Sequence, residues 1–266
     1  MNFEPILPAV LKNTLPYVLL SLFVGFAAGF YFANRANRNE IERLRTEAAA
    51  RGGANANAPQ GSAQAENTTQ PDESALSDEQ LQRVIAKADA APADLALQRK
   101  VGEGLYIYAT KFNKPDLLPE ALRILKRAQT AAPQDYDLLV SLGNVEFDLA
   151  RATDPAHFKE ARAYYAKALA QHPDDINVRT DMGLTYFFDH PSDPHRAITE
   201  YRRSLAQDPR HEMTLQNLAA ALIATGELDE AEQRLAELQV VNAANPALTD
   251  LRAQLAARRN AAEGQK

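Results

Sequence analysis

Five prolines divide the C-terminal two thirds of the sequence into segments of similar length. They are Pro92, Pro133, Pro173, Pro209 and Pro246, and the spacings between them are 41, 40, 36 and 37 residues. A period of this size indicates one supersecondary unit that recurs along the chain. Because a single unit of this length cannot bury its apolar face alone, neighbouring units must stack. The repeat therefore constrains the fold more than any individual motif does.

Each segment between the prolines has the pattern of two amphipathic helices. The second segment contains QDYDLLVSLGNVEFDLA and then FKEARAYYAKALAQHP, and the third contains DDINVRTDMGLTYFF and then PHRAITEYRRSLAQDP. Apolar residues recur there at helical spacing, and no strand-like alternation competes with that period. Ser77 and Gln80 form a capping box that begins a single helix before the first pair. We therefore predict an all-α solenoid of about four helix pairs plus flanking helices.

The second and third segments share residues at equivalent positions. In the second these are Leu142, Gly143, Ala161, Tyr165, Ala168 and Pro173, and in the third they are Met182, Gly183, Tyr186, Ala197, Tyr201 and Pro209. This pattern resembles the tetratricopeptide repeat (TPR), whose helix pairs stack into an α-solenoid. The outer segments are degenerate, because Leu105 and Leu125 replace aromatic residues in the first and Leu235 replaces one in the fourth.

Small and aromatic residues in this pattern have a structural reason. We expect Gly143 and Gly183 to let the first helix of each pair approach the second closely, since glycine has no Cβ. Tyr165 and Tyr201 would then fill the gap to the next pair. Stacking of successive pairs completes the core.

The resemblance implies that the chain binds another protein. TPR solenoids present the first helix of each pair on a concave face, so the residues there are the expected ligand contacts. Projected onto this sequence, the face comprises Arg99, Glu103, Tyr106, Val140, Asn144, Phe147, Asp148, Thr180, Leu184, Phe187, Phe188, Met213, Gln216 and Ile223. Its aromatic residues could anchor a peptide or helix of the partner, and Asn144 and Gln216 could bond an extended backbone. The alternative is that some of these aromatic residues only pack between neighbouring helices.

Composition and motifs exclude other classes of function. The formal net charge of -6 argues against nucleic acid as a partner, and the lack of cysteine excludes disulfides and thiolate sites. No metalloprotease, hydrolase, P-loop or dinucleotide motif occurs, so we predict a binding module without catalytic residues, cofactor or metal. A competing hypothesis places a metal at Asp189, His190, Asp193 and His195, although prolines and aspartates in that stretch are also typical of a turn.

An uncharged apolar run lies near the N terminus. Residues 15–33, LPYVLLSLFVGFAAGFYFA, would form a helix of roughly 28 Å, close to the ~30 Å hydrocarbon core of a bilayer. We predict a retained transmembrane helix rather than a cleaved signal peptide, because apolar residues continue past the best cleavage site. Small residues at every fourth position, Ser21, Gly25, Gly29 and Ala33, predict a face on which two copies of the helix could dimerise.

Changes in composition set the domain boundaries. We predict an N-terminal tail at 1–14, the transmembrane helix at 15–33, a juxtamembrane helix at 34–51, a flexible linker at 52–76, the TPR solenoid at 77–260 and a disordered tail at 261–266. Five arginines follow the apolar run, whereas Lys12 alone precedes it, so the positive-inside rule favours cytoplasmic repeats. The sequence thus predicts a single-pass protein of the bacterial inner membrane, with the periplasmic orientation as the alternative.

Two functions remain open at this point. The first is a membrane-tethered scaffold or adaptor that binds a peptide or helix of another protein in its concave groove. The second is a chaperone-like subunit of cytochrome c maturation or envelope biogenesis that faces the periplasm, as a resemblance to the membrane-anchored TPR proteins of those systems implies. The side of the membrane on which the repeats lie would separate the two.

Overall fold

The computed structural model describes residues 76–263, and every regular element in this range is helical. The chain divides into two units, Met1–Glu73 and Ser74–Lys266. The helices of the second unit bury an apolar core among themselves, so this unit can be studied by itself. The predicted tail, transmembrane helix and juxtamembrane helix lie outside the described residues. Within residues 76–263, no helix combines the length and the apolar character that a bilayer crossing requires.

Four helix pairs lie between two single helices. α1 is Asp78–Ala90, and a short 3-10 helix at Pro115–Leu117 lies within the first pair. The pairs are α2 (Leu95–Lys111) with α3 (Leu118–Ala131), α4 (Tyr136–Ala152) with α5 (His157–Gln171), α6 (Ile176–Phe188) with α7 (Pro194–Gln207), and α8 (Glu212–Thr225) with α9 (Leu228–Val241). The last helix, α10, is Leu248–Glu263 and continues beyond residue 260, where we predicted its end. The predicted solenoid of four pairs and flanking helices is confirmed.

The same turn precedes each first helix. A backbone N–H at the end of the turn donates to the carbonyl three residues earlier, and this N–H belongs in turn to Asp94, Asp135, Asp175, His211 and Asn245. The three aspartates then cap the next helix, because each side chain accepts a hydrogen bond from the backbone N–H three residues ahead. A recurrent turn of this kind sets each new pair in the same orientation as the last.

Glycine and tyrosine pack against each other inside the two middle pairs. A Cβ built on Gly143 would lie 2.5 Å from the Tyr165 ring, and one on Gly183 would overlap the ring of Tyr201. Both tyrosines are fully buried. The predicted role of these glycines in close helix approach is confirmed, and each tyrosine fills the space beside the glycine of its own pair.

Candidate functional site on the first helices

The residues predicted to contact a ligand all lie on the first helices α2, α4, α6 and α8, but their exposure differs. The buried members are Tyr106, Phe147, Asp148, Thr180, Leu184, Phe188, Met213, Gln216 and Ile223, and the half-buried members are Arg99, Glu103, Val140, Asn144 and Phe187. The half-buried members are the ones more accessible to solvent in the structure. The predicted set therefore separates into packing residues and residues accessible to a ligand.

The buried members connect one first helix to the next. The hydroxyl of Tyr106 on α2 donates to Asp148 on α4 at 2.7 Å. The rings of Phe147 on α4 and Phe188 on α6 meet edge to face with centroids 6.3 Å apart. Thr180 on α6 completes the series, since its hydroxyl lies 2.7 Å from that of Thr214 on α8. These contacts have the inter-helix packing role that the sequence left open as an alternative.

An ion cluster occupies the edge between α2 and α4. The guanidinium of Arg99 lies 3.0 Å from Glu103, 2.9 Å from Asp135 and 3.3 Å from Asp137. Burial lowers the pKa of Arg99, but the carboxylates, Glu103 foremost, outweigh it and hold that pKa above its ordinary value. Because three carboxylates surround one cation, this edge of the face carries net negative charge.

Asn144 presents a fixed amide in the middle of α4. Its Oδ1 accepts a hydrogen bond from the Tyr165 hydroxyl at 2.9 Å, and Tyr165 lies on the second helix of the same pair. In this orientation the Tyr165 hydroxyl donates to the amide oxygen, and the amide nitrogen lies at the other end of the side chain. The Nδ2 group, with its two donors, is therefore the end left for an acceptor outside the pair.

Asn217 is a candidate that we did not predict, since the projected residue on α8 is its neighbour Gln216. The Oε1 of buried Gln216 accepts from Asn245 at 3.2 Å, so this side chain is engaged with the loop before α10. Asn217 is half-buried, and its Nδ2 is a buried donor without an acceptor in residues 76–263. Asn217, Ala220 and Ala224 form the accessible stripe of α8 at helical spacing. The helical spacing of these three residues could have identified Asn217, which lies one position after Gln216, the residue that we projected.

Aromatic surface marks the centre of the face on α6. Phe187 is half-buried, and its ring centroid lies 5.3 Å from that of buried Phe188. Arg151, at the end of α4, places its guanidinium 4.3 Å from the centroid of the Phe188 ring. We call the accessible surface formed by Arg99, Glu103, Asn144, Arg151, Phe187 and Asn217 the first-helix face.

The stretch suggested as an alternative metal site serves the fold instead. Asp189 pairs with Arg162 at 2.6 Å, and Asp193 caps α7 by accepting from the Arg196 backbone N–H at 3.1 Å. His190 and His195 are both exposed. Across the part of the chain that the structure describes, no three His, Asp or Glu side chains are grouped so as to hold a metal ion.

Sequence comparison agrees with the repeat geometry. The family profile described as tetratricopeptide repeat matches residues 192–255. The match to the tetratricopeptide repeat profile is thus confined to this segment. It contains α7, α8 and α9 and the first half of α10, whereas the middle pairs carry the fuller set of TPR residues. A comparison with curated proteins finds no match.

Several solved structures of other proteins are similar to this chain. The MamA RS-1 ArsTM double mutant has a TM-score of 0.50 and 15% identity, and the match covers 64% of this chain and 87% of that one. YrrB, a TPR protein with an unusual peptide-binding site, gives 0.48 and 20%, with coverage of 65% and 84%. A thermophilic TPR protein of Thermus thermophilus gives 0.48 and 19%, with coverage of 67% and 98%. At these identities the similarity concerns the fold alone.

Proposed function

We propose that the TPR unit is a protein interaction module that binds an extended peptide of another protein along the first-helix face. The observation that carries this proposal is the fixed amide of Asn144, whose oxygen is bonded by Tyr165 and whose two N–H groups are left to donate. Asn217 carries a second amide on the same face, and its Nδ2, which is buried and lacks an acceptor in residues 76–263, would turn outward to meet a ligand. Backbone carbonyls of a ligand are suitable acceptors for both.

The spacing of the helices favours an extended ligand over a helical one. Neighbouring helices pack about 10 Å apart, and an extended strand rises about 3.3 Å per residue, so one repeat step corresponds to about three ligand residues. Asn144 and Asn217 are two repeat steps apart, on α4 and α8. A helical ligand would reach both only with about thirteen residues, and its carbonyls would already be bonded internally. The amides therefore favour an extended segment of about seven residues or more.

Two further features describe the side chains that such a peptide would carry. The carboxylates around Arg99 favour a Lys or Arg side chain at the α2 edge of the face, because the cluster carries net negative charge. The half-buried ring of Phe187 on α6 favours an apolar side chain near the middle. The proposed ligand class is thus an extended peptide with one apolar and one basic anchor.

Selection from randomised peptides tests this proposal without knowledge of the natural partner. The unit of residues 74–266 would be used to select from displayed peptides of about twelve residues, long enough to cross three first helices in extended form. Binding of a labelled selected peptide would then be measured by fluorescence anisotropy. We expect enrichment of peptides with a basic and an apolar position, because those are the anchors that the face offers.

Variants of the face locate the bound peptide. We expect Asn144→Ala and Asn217→Ala each to raise the dissociation constant about 5- to 30-fold, as the loss of one buried hydrogen bond predicts. Phe187→Ala should weaken binding at least as much, without loss of helical circular dichroism. Lys159→Ala on α5 is the control, because Lys159 is exposed on a second helix. Unchanged affinity in the double variant Asn144→Ala and Phe187→Ala would remove the site assignment.

Attachment to the bacterial inner membrane is a separate part of the proposal. It is supported by the uncharged apolar run at 15–33 and by the arginines that follow it, which favour repeats on the cytoplasmic side. The activity of a reporter enzyme fused to the C terminus would show on which side of the membrane the repeats lie. Periplasmic activity would contradict the cytoplasmic scaffold and favour the chaperone-like alternative.

A further inference from the structure

Each of the two single helices is half of an incomplete pair: α10 corresponds to a first helix, and α1 corresponds to a second helix. α10 follows the same turn that precedes every first helix, here at Asn245, and it packs against both α8 and α9. No second helix accompanies it in residues 76–263. α1 ends at the corresponding turn before Asp94, so it has the place of a second helix. No first helix precedes it among the described residues. One end of the solenoid thus lacks a second helix, and the other lacks a first.

An open groove lies at the C-terminal end, where the missing second helix would pack. The groove has a volume of about 360 Å³ between α9 and α10. Leu235 and Leu255 line it and are already buried, Ala236 and Ala256 are exposed, and Arg259 pairs with Glu232 across it at 3.0 Å. Val240, one helical turn after Ala236, is 80% exposed. Surface apolar groups at the end of a solenoid are unfavourable unless covered, since terminal repeats normally have a polar outer face.

The N-terminal end has a matching open surface on α2. Ile107 is 52% exposed, and Gly104 lies one turn before it on the same side of the helix. A Cβ built on Gly104 would meet nothing within 4 Å, whereas Gly102 of the same helix is pressed against Leu125. Glycine inside a helix is destabilising relative to alanine, so an open glycine has no packing reason within residues 76–263. A helix that crosses closely at Gly104 would supply one.

Exposed large apolar side chains are confined to the two ends. In residues 76–263 these side chains are Leu76, Val84, Leu95, Ile107 and Val240. The first four belong to the segment that ends with α2, and the fifth adjoins the C-terminal groove. The long middle of the solenoid contains none. The apolar surface still to be covered is therefore at the ends rather than on the first-helix face.

One exposed charge at each end has the opposite sign to one at the other end. Arg252 on the rim of the C-terminal groove contacts neutral Gln239 and has no carboxylate partner in the described part of the chain. Glu79 near the start of α1 is almost fully exposed, and its ion pair there is a long one, 3.8 Å, with Arg83. A guanidinium at one end and a carboxylate at the other suit an interface between them.

We propose that the C-terminal end of one copy packs against the N-terminal end of a second copy. In this junction α10 of one copy takes the place of the missing first helix and pairs with α1 of the next, whose outer face fills the groove between α9 and α10. The contact is heterologous, because two different surfaces meet, so copies add head to tail. The occupant of both open surfaces is thus a second copy of this chain. This proposal is independent of the peptide site.

Two variants that each block one end test the junction. Gly104→Arg places a long cation where α10 of another copy, itself rich in arginine, would cross. Ala236→Arg fills the C-terminal groove, and Glu232 four residues earlier supports the new arginine on the helix. Ala166→Arg on α5 is the matched control, since Ala166 is exposed far from both ends. The mass of the 74–266 unit would be followed by sedimentation up to roughly millimolar concentration.

The expected pattern is specific to a heterologous junction. The native unit and Ala166→Arg should associate with rising concentration, and each end variant alone should do so at least about tenfold more weakly. An equimolar mixture of the two end variants keeps one intact junction, from one native C-terminal end and one native N-terminal end, and should stop at a dimer. A native unit that remains monomeric throughout, or an end variant that still dimerises with itself as strongly as the native unit, would overturn the proposal. Circular dichroism of each variant shows that it is folded.

Discussion

The two middle pairs and the two outer pairs have different residues at the point where the two helices of a pair cross. In the middle pairs a glycine faces a buried tyrosine, Gly143 with Tyr165 and Gly183 with Tyr201. In the fourth pair the equivalent positions hold Ala219 and Leu235. Ala219 is larger than the glycine of the middle pairs, and Leu235 is smaller than their tyrosine. In the fourth pair the volume at the helix crossing is thus shared differently between the two positions. The first pair departs at one position only, because Leu125 replaces the tyrosine while Gly102 stays, and a Cβ on Gly102 would lie 2.6 Å from Leu125.

Truncation of a middle tyrosine should give the largest effect. We expect Tyr165→Ala to lower the free energy of unfolding by about 3–5 kcal/mol, because a fully buried aromatic ring leaves a cavity beside Gly143. Leu235→Ala in the outer pair should cost less, near 2 kcal/mol, because a smaller group is removed. Urea unfolding followed by circular dichroism measures both. An equal or larger loss for Leu235→Ala would contradict the comparison.

Enlargement of a middle glycine should give the next largest effect. We expect Gly183→Ala to cost about 1–3 kcal/mol, since the new methyl group would overlap the Tyr201 ring. In a Tyr201→Leu background, which imitates the fourth pair, the same substitution should cost less than about 1 kcal/mol. A double-mutant cycle measures this coupling. Additive effects would mean that the two positions do not share one volume.

A glycine at the open end should respond with the opposite sign. We expect Gly104→Ala to stabilise the isolated unit by about 0.4–1 kcal/mol, because nothing lies within 4 Å of the added Cβ and the unfolded chain loses freedom. Thermal and urea unfolding at low protein concentration would measure it, with Gly183→Ala as the counterpart. Destabilisation by Gly104→Ala would show that this position is packed in the single copy.

Acid should loosen the N-terminal end before the middle. Hydrogen bonds from Arg123 and then Arg127 lower the pKa of Asp89 from 3.8 to about 2, and they join α1 to α3. A lowered pKa stabilises the folded state above the ordinary pKa of the carboxyl, and that contribution is lost as the pH falls towards about 2. The protection of α1 amides from hydrogen exchange, after correction for the intrinsic exchange rate at each pH, should therefore fall between roughly pH 4 and pH 2.

Asp89→Asn provides the control for this effect. The variant should show faster exchange in α1 at neutral pH, and the difference from the native unit should shrink as the pH falls. Exchange in α4 and α6 should be the same in both proteins, because their contacts do not involve Asp89. Identical α1 exchange in the two proteins at neutral pH would show that these ion pairs do not hold the helix.

Local signals in the sequence predicted the repeat, the helix pairs and the close glycine contacts. The capping box of Ser77 and Gln80 acts over a few residues, and the proline period is a regular spacing along one chain, so a single sequence contains both signals. Side-chain partners on different helices could not be predicted in this way. Glu146 is an example: it is fully buried, yet Lys126 lies 3.0 Å away on α3 and His157 lies 2.5 Å away on α5.

The candidate site was predicted at the level of helices rather than of side chains. Projection placed Phe147 and Thr180 on the ligand face, but neighbouring first helices cover both. A helical projection gives the direction in which a side chain points but not its distance from the next helix. Two residues adjacent in sequence can therefore differ in burial. The same error of one position selected Gln216 instead of Asn217.

The peptide-binding role of the first-helix face can be measured most directly by nuclear magnetic resonance. Backbone amide shifts of the labelled 74–266 unit would be recorded during titration with a selected peptide. The account predicts shifts along α4, α6 and α8 near Asn144, Phe187 and Asn217, and little change on the outer sides of α5 and α7. Shifts confined to those second helices, with the first helices unaffected, would contradict it.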